Sequence, residues 1–300
     1  MKLILSIICL LVSSSVYAQQ VVLLYGDSVP NSIPSKIQEA TSESGGIKRV
    51  GQVTNPSMNV YMPEKGKSNG SAVIIFPGGG YQYEAYEIEG TWIAEAFVKH
   101  GTTGIVVRYR LPSDSTMRDK SIGPVQDAQQ AVKVVRQHAI EWNLDTTKIG
   151  IMGFSAGGHL ASTAGTHFDT AFVPNEENIN LRPDFMILIY PVISMTDKLT
   201  HAGSRKALLG DNPSQSQIDF FSNELHVTDQ TPPTYLMHAG DDKTVDPDNS
   251  ISFYEALRHH NVPAELVVIP KGGHGFAARF KPEDWMDPLF SWMKSNGWMK

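Results

Sequence analysis

The fold is decided by the stretch KIGIMGFSAGG at residues 148–158. Its first half is an apolar run typical of a buried strand, and its second half places Ser155 in the pattern Gly-x-Ser-x-Gly. Glycines on both sides of a serine allow the sharp strand-to-helix turn that lifts the hydroxyl clear of a sheet. The same turn aims the unpaired N–H groups of the next helix at the reacting atom. We therefore predict that Ser155 is a nucleophile on such a turn.

Two downstream segments supply partners for this serine. The strand-like run 234–240 leads directly into Asp241 and Asp242, and the run 264–270 is followed by His274 between glycines. A serine hydroxyl is a poor nucleophile until an imidazole takes its proton, and that imidazole needs a carboxylate on its other nitrogen. Serine, acid and histidine in this order along the chain, each after a strand, is the order of α/β hydrolases. The sequence therefore predicts Ser155, Asp242 and His274 as a catalytic triad.

Each assignment has competitors along the chain. Asp241 also follows the strand directly, and it is the alternative acid unless it caps the turn. Asp246 and Asp248 lie further on, where a solvated loop and a helix N-cap are the simpler interpretations. Among the other histidines, His159 stands four residues after the serine and is expected to pack beneath the turn. A carboxylate that faces His274 must lie right at the strand end, which favours Asp241 or Asp242, and we favour Asp242, three residues before Val245.

A glycine-rich loop upstream fits the same chemistry. The apolar run 71–76 is followed by Pro77-Gly78-Gly79-Gly80-Tyr81, in which consecutive glycines leave backbone N–H groups open to a ligand. Together with the N–H of Ala156, these groups can stabilise the charge on a tetrahedral intermediate, where one lost donor typically costs about 3 kcal/mol of barrier. A flexible glycine turn is the alternative interpretation.

Composition limits the classes of function. A chain of 300 residues with 41% hydrophobic residues supports one sizeable domain, and a formal charge of −6 argues against a nucleic-acid surface.

Residues 1–18 combine a positive start, an apolar core too short to span a bilayer and small residues up to Ala18, which predicts a cleaved signal peptide and export to the periplasm or beyond the cell. The single cysteine, Cys9, lies within it, so the mature chain has no thiol. We expect neither a metal nor a cofactor.

Strand-like and helical segments alternate through most of the chain. Apolar strands separated by helical patterns predict an α/β fold with a mostly parallel sheet covered on both faces. We predict an extended N-terminal arm at residues 19–47 and an α/β-hydrolase domain at residues 48–300. The segment from Ser194 to Pro232 is the place for a small insertion over the site, which leaves only a minimal lid and an open cleft.

Several motifs taken together resemble one group of esterases, the exported α/β-hydrolase esterases of bacterial polysaccharide degradation. This group is the acetyl xylan and feruloyl esterase-like family that is often labelled as xylanase. The resemblance covers residues from about 55 to the end, and its motifs are PGGGY at 77–81, YEIEG at 86–90, YRLP at 109–112, GFSAGGHLA at 153–161 and GGHGF at 272–276.

The resemblance implies an enzyme that removes acetyl or feruloyl groups from xylan-type polysaccharides or oligosaccharides. Position by position, it makes Ser155 the nucleophile, Asp242 the acid and His274 the base, and it names Gly79, Gly80 and Ala156 as oxyanion donors. Tyr81, Tyr83 and Tyr86 stand near that loop. They are candidates for stacking on a sugar or a ferulate, with core packing as the alternative.

Three other functions stay open. A general short-chain carboxylesterase shares the same motifs. A serine peptidase on this fold usually carries a large gating domain, for which the chain has no room. A hydrolase-like protein used only for binding normally lacks the serine or the histidine, and both are present here. The sequence does not specify the preferred acyl group, the sugar position or the oligomeric state.

Overall fold

The computed structural model describes residues 18–26, 28–44 and 47–300. The predicted signal peptide lies outside these residues except for Ala18. Besides three short π or 3-10 turns, ten strands and eight α-helices build the described part: β1 Ala18–Leu23, β2 Ala40–Ser44, β3 Ile47–Gly51, β4 Ser57–Met62, β5 Ala72–Phe76, α1 Trp92–Lys99, β6 Thr103–Arg108, α2 Gly123–Gln137, β7 Ile149–Phe154, α3 Ser155–Thr166, β8 Met186–Ile189, α4 Ala202–Leu209, α5 Gln215–Phe220, β9 Thr234–Ala239, α6 Asp248–His259, β10 Ala264–Ile269, α7 Pro282–Trp285 and α8 Asp287–Ser295.

Eight strands form one sheet in the order β1-β4-β6-β5-β7-β8-β9-β10. The first two pairings, β1 with β4 and β4 with β6, are antiparallel, and all the others are parallel. Because parallel strands need crossover connections, helices lie on both faces of the sheet. The predicted α/β class with a mostly parallel central sheet is confirmed.

The core consists of two apolar layers, one on each face of the sheet. Helices α2, α3 and α6 contribute to one layer, and α1, α7 and α8 contribute to the other. The central strands β5, β7, β8 and β9 are buried at every position, which explains why they are apolar without alternation. The carboxyl ends of these strands meet at one edge, where ligands bind in folds of this kind.

The segment predicted as an arm, residues 19–47, takes part in two sheets. Strand β1 extends the main sheet by pairing with β4, and β2 pairs with β3 in a separate two-stranded sheet. The pairing of β1 depends on the distant strand β4, whereas β2 forms a hairpin with β3, the next strand along the chain; the polar sequence of this segment predicted neither strand. No helix in the described part of the chain is both long and apolar enough to cross a membrane.

Candidate active site

Ser155 stands on a strained turn between β7 and α3. Its φ angle is +51°, a left-handed conformation that costs energy for any residue with a side chain. The flanking glycines are required sterically: a Cβ on Gly153 would lie 2.1 Å from the carbonyl oxygen of Gly157, and one on Gly157 would lie 2.1 Å from that of Phe76. The serine side chain is 6% exposed and borders an open cleft. This turn has the geometry of the nucleophile elbow that the sequence predicts.

His274 lies in the loop after β10, and its Nε2 atom is 2.8 Å from Ser155 Oγ. Neighbouring glycines give the loop its curvature, since Gly273 and Gly275 have φ angles of +61° and +69°. Asp241 holds this loop rather than the imidazole: its Oδ1 accepts hydrogen bonds from the backbone N–H groups of Gly272, at 2.9 Å, and Gly273, at 2.7 Å. The structure thus gives Asp241 the turn-capping contacts.

Asp242 faces the imidazole of His274. Its Oδ2 lies 2.7 Å from His274 Nδ1, and its Oδ1 accepts from the backbone N–H groups of Thr244 and Val245 at 2.9 and 3.0 Å. Because a carboxylate only accepts, Nδ1 of the neutral ring carries the proton and Nε2 is free to accept the Ser155 proton. Ser155, His274 and Asp242 therefore form one continuous hydrogen-bonded chain.

A second histidine, His238 in β9, also contacts this carboxylate. Its Nε2 lies 3.2 Å from Asp242 Oδ2 and 3.1 Å from the Val245 carbonyl oxygen, while its Nδ1 lies 2.8 Å from the Ser250 hydroxyl. Burial alone would raise the pKa of Asp242, but hydrogen bonds from His238 and His274 hold that pKa well below its ordinary value. Sequence reasoning missed His238 because a histidine inside a buried strand carries no catalytic signature.

The Gly-rich loop after β5 lies beside the nucleophile. Gly79 and Gly80 have φ angles of +137° and +65° and line the cleft. Within the described residues, their N–H groups have no hydrogen-bond partner, whereas Gly78 N donates to Glu89 Oε2 at 2.7 Å. Ala156 lies in the first turn of α3, where N–H groups lack intrahelical partners. The loop and the helix start therefore offer free donors next to Ser155.

The cleft has a volume of about 410 Å³, and Ser155, His274, Gly79 and Gly80 lie on its walls. Tyr83 also lines it, with the guanidinium of Arg49 4.6 Å above its ring. Tyr81 does not offer a stacking face: it is 2% exposed, and its hydroxyl lies 2.8 Å from Nδ1 of the buried His159. Tyr81 is therefore packed in the core, which is the alternative interpretation given for these tyrosines. His159 packs beneath the turn, as the sequence predicts.

A second and larger cavity, of about 740 Å³, adjoins the cleft. The two share Gln82, and the start of the predicted insertion borders both, with His201 on the cleft and Gly203 on the larger cavity. Polar side chains of Gln52, Ser113 and other residues line the larger cavity. No group of three or more His, Cys, Asp or Glu side chains placed to hold a metal ion occurs in the described part of the chain.

Comparison with known proteins places these features among esterases. The family model BD-FAE matches residues 58–257. An acetylxylan esterase of Xylanibacter ruminicola is 36% identical over 245 residues, which cover 79% of this chain and 48% of that protein. Endo-1,4-beta-xylanase B of Butyrivibrio fibrisolvens is 38% identical over 206 residues, which cover 68% of this chain and 32% of that protein. The chain thus spans a third to a half of the length of these curated relatives.

A solved structure is similar over nearly its full length. It is the acetyl ester-xyloside bifunctional hydrolase of Caldicellulosiruptor lactoaceticus, which is 36% identical in sequence. The superposition covers 82% of this chain and 90% of that one, with a TM-score of 0.75.

Proposed function

Because the chain belongs to the BD-FAE family of α/β-hydrolase esterases, we propose that it is a serine esterase that removes acetyl groups from xylan-type carbohydrates. Family membership confirms the resemblance drawn from the sequence. One observation carries the proposed mechanism: Ser155, His274 and Asp242 form a hydrogen-bonded chain next to N–H groups that have no other partner among the described residues.

The proposed reaction has two steps. Ser155 Oγ attacks the ester carbonyl carbon while its proton passes to His274 Nε2, and the carbonyl oxygen becomes an oxyanion that receives hydrogen bonds from Gly79, Gly80 and Ala156. The intermediate then expels the sugar oxygen, which takes the proton from His274, and an acyl-serine remains. Water attacks this acyl group in the same way and releases the acid. Asp242 holds the ring of His274 and stabilises its positive charge in both steps.

Two observations support a carbohydrate substrate. The acetylxylan esterase of Xylanibacter ruminicola and the bifunctional hydrolase of Caldicellulosiruptor lactoaceticus are both named for acetyl ester hydrolysis. In addition, the larger cavity shares Gln82 with the cleft and has both polar and apolar walls, so space that could take a sugar chain lies beside the cleft that holds the nucleophile. A feruloyl group is the second acyl group that the resemblance implies, and Tyr83 on the cleft wall is the aromatic side chain available to stack on it.

A turnover comparison tests the proposal. The purified protein is given acetylated xylo-oligosaccharides, methyl ferulate, a long-chain fatty ester and an aminoacyl amide, and the released acid or amine is measured. We expect acetate release from the sugars to have the highest kcat/KM. A preference for the long acyl chain would favour a general carboxylesterase, and cleavage of the amide would favour a peptidase; either result would contradict the proposed substrate class. Absence of any turnover would favour a binding protein.

Glycoside cleavage is the competing activity, since the names of two relatives include a xylanase and a xyloside hydrolase. That chemistry normally needs two carboxyl groups that flank the sugar bond, one as acid and one as base or nucleophile. Glu89 is the one carboxylic acid among the described residues that line the cleft, and both of its oxygens are engaged. Asp114 is the one that lines the larger cavity, and its carboxylate pairs with Lys120 at 2.6 Å. We therefore expect no release of nitrophenol from an aryl xyloside in the same assay.

We also propose that the protein is exported. The proposal rests on the positive start and apolar core of residues 1–18 and on the small residues before Gln19. Expression of the full chain in a bacterial host, followed by N-terminal sequencing of the periplasmic fraction, should show Gln19 as the first residue. Intact residues 1–18 on cytoplasmic protein alone would contradict export.

A further inference from the structure

Glu89 is a buried carboxyl group that the triad chemistry leaves without a role. It lies in a π-helical turn, Glu87–Thr91, just before α1 and is 5% exposed. Its Oε2 accepts a hydrogen bond from Gly78 N at 2.7 Å, and its Oε1 accepts one from the Tyr190 hydroxyl at 2.8 Å. A buried carboxyl with both oxygens engaged is a rigid anchor, since moving it would leave buried polar groups unpaired.

The first of these contacts reaches the Gly-rich loop after β5, residues 77–81, which is the proposed oxyanion loop. Gly78 directly precedes Gly79 and Gly80, whose N–H groups are the proposed oxyanion donors. A Cβ on Gly78 would lie 2.8 Å from Glu89 Oε2 and 2.9 Å from Ser155 Cβ, so this glycine is wedged between the carboxyl group and the nucleophile. The carboxyl group therefore fixes how closely the loop approaches Ser155.

The second contact reaches the catalytic base. Tyr190 follows β8 with a φ angle of +37°, an uncommon conformation for an aromatic residue, and its side chain is fully buried. Its ring packs edge-on against the imidazole of His274, with the ring centres 5.1 Å apart. By holding the Tyr190 hydroxyl, Glu89 also fixes the surface on which the His274 ring rests.

The charge of Glu89 matches these contacts. Burial raises the pKa of Glu89, while hydrogen bonds from Tyr190 and Gly78 and the nearby His274 act in the opposite direction. Gly78 N and the Tyr190 hydroxyl both donate to Glu89, so the ionised carboxylate can accept both hydrogen bonds. Among the described residues, Tyr190 donates to Glu89, Tyr109 and His274 lie close enough to interact with its charge, and Arg49, His201 and Arg279 line the same cleft.

We propose that Glu89 is a positioning residue that holds the oxyanion loop at Gly78 and, through Tyr190, the ring of His274, so that one buried group keeps the two halves of the catalytic site in register. This inference rests on the proposed esterase function. Misplacement of catalytic groups by about 1 Å can cost about 100-fold in rate. A loss of this kind falls on contacts made in the transition state rather than on binding of the substrate.

Three variants separate the contacts. Glu89→Ala removes both, and Tyr190→Phe removes only the hydrogen bond between Glu89 and the residue that packs on His274. Glu89→Gln keeps the shape, because the Tyr190 hydroxyl can turn to accept from the amide. Glu87→Ala is the matched control: it removes a carboxyl group from the same turn, and no hydrogen bond joins the Glu87 side chain to the oxyanion loop in the described structure.

The readouts are kcat and KM for acetate release, inhibition by an alkyl boronic acid, and thermal unfolding. Boronic acids form a tetrahedral adduct with the serine, so their affinity reports the oxyanion geometry independently of turnover. For Glu89→Ala we expect kcat to fall about 100-fold with KM within about threefold of the wild type, and boronate affinity to fall in parallel. Tyr190→Phe should lose about tenfold and Glu89→Gln less, while Glu87→Ala stays at the wild-type level.

The inference is overturned if folded Glu89→Ala and Tyr190→Phe keep kcat and boronate affinity within about twofold of the wild type. It is also overturned if the loss of rate only follows a loss of folded protein at the assay temperature. Should Glu89→Ala fail to fold, Tyr190→Phe decides the question, with Glu89→Gln as the variant that should keep most of the activity. A wild-type protein that hydrolyses no ester contradicts the proposed function instead, so the two failures are distinguishable.

Discussion

His238 Nε2 lies 3.2 Å from Asp242 Oδ2, the same carboxylate oxygen that His274 Nδ1 approaches at 2.7 Å. Two imidazoles on one oxygen and two backbone N–H groups on the other leave the Asp242 side chain no rotational freedom. These hydrogen bonds favour the charged form and hold the pKa of Asp242 below its ordinary value, against the effect of burial. The carboxylate that faces the proposed base is therefore oriented and ionised before a substrate arrives.

Replacing Asp242 should disable the enzyme, whereas replacing its neighbour should not. In Asp242→Asn the amide can present an N–H to His274 and so favour the wrong tautomer, a change that costs about 10⁴-fold in kcat in serine proteases. Asp241→Asn keeps an oxygen that can accept from Gly272 and Gly273, so we expect a loss below about tenfold. Initial rates with a soluble acetyl ester distinguish the two. An inactive Asp241→Asn variant together with an active Asp242→Asn variant would show that Asp241, not Asp242, is the catalytic acid.

Gly79 should tolerate no side chain. Its φ angle is +137°, and a Cβ there would lie 2.0 Å from the Tyr83 carbonyl oxygen, so Gly79→Ala must displace the oxyanion loop. Loss of a single oxyanion donor lowers kcat by about 100-fold or more, and we expect at least that loss. The control is Gly51→Ala in β3, where a Cβ would meet its nearest neighbour at 3.8 Å. Steady-state rates of both folded variants provide the check, and unchanged turnover in Gly79→Ala would rule out this loop as the donor.

The apolar pattern of the chain made the central architecture predictable. Strands β5, β7, β8 and β9 are continuous apolar runs because both of their faces are covered. Asp242 and His274 stood out because they follow strands whose carboxyl ends meet at one edge. Strands β1 and β2 could not be located in this way, since β1 is stabilised by pairing with β4, about forty residues away, and β2 has a polar sequence.

The supporting residues of the site were less visible in the sequence. Glu89 stands in the sequence Glu87-Ile88-Glu89, which is typical of solvent-exposed acidic side chains. Only the fold brings Glu89 into contact with Gly78 and Tyr190. For Tyr81 the sequence left stacking on the substrate and core packing both open, and only the fold shows that this side chain is buried with its hydroxyl next to His159. Local sequence indicates which residues carry reactive groups, whereas contacts between distant segments decide which residues hold them in place.

Buried His159 should make the protein less stable in mild acid. Burial lowers the pKa of His159 to about 4, so the folded protein binds a proton there only well below the 6.5 of an ordinary histidine. The unfolded chain takes up that proton first, and the free energy of unfolding must fall as the pH drops from about 6.5 to about 4. His167, whose pKa burial also lowers to about 4, adds a second contribution in the same window.

Urea unfolding at pH 7.0, 5.5 and 4.5 measures this dependence. In His159→Gln, one of the two contributions is absent, so we expect a weaker dependence on pH over this window, whatever the absolute stability of the variant. His259→Gln, at the exposed end of α6, serves as the control and should keep the wild-type dependence. Identical dependence in His159→Gln and the wild type would show that His159 does not titrate as its burial requires.

The most direct test of the account is covalent labelling at Ser155. A fluorophosphonate probe reacts with a serine only when a base and an oxyanion site activate it, so intact-mass spectrometry should show a single adduct on the wild-type protein. Ser162→Ala, which removes a buried hydroxyl further along α3, should label in the same way. Ser155→Ala should acquire no adduct and release no acetate while unfolding at the wild-type temperature. An adduct on folded Ser155→Ala, or ester hydrolysis by it at the wild-type rate, would contradict the assignment of Ser155 as the nucleophile.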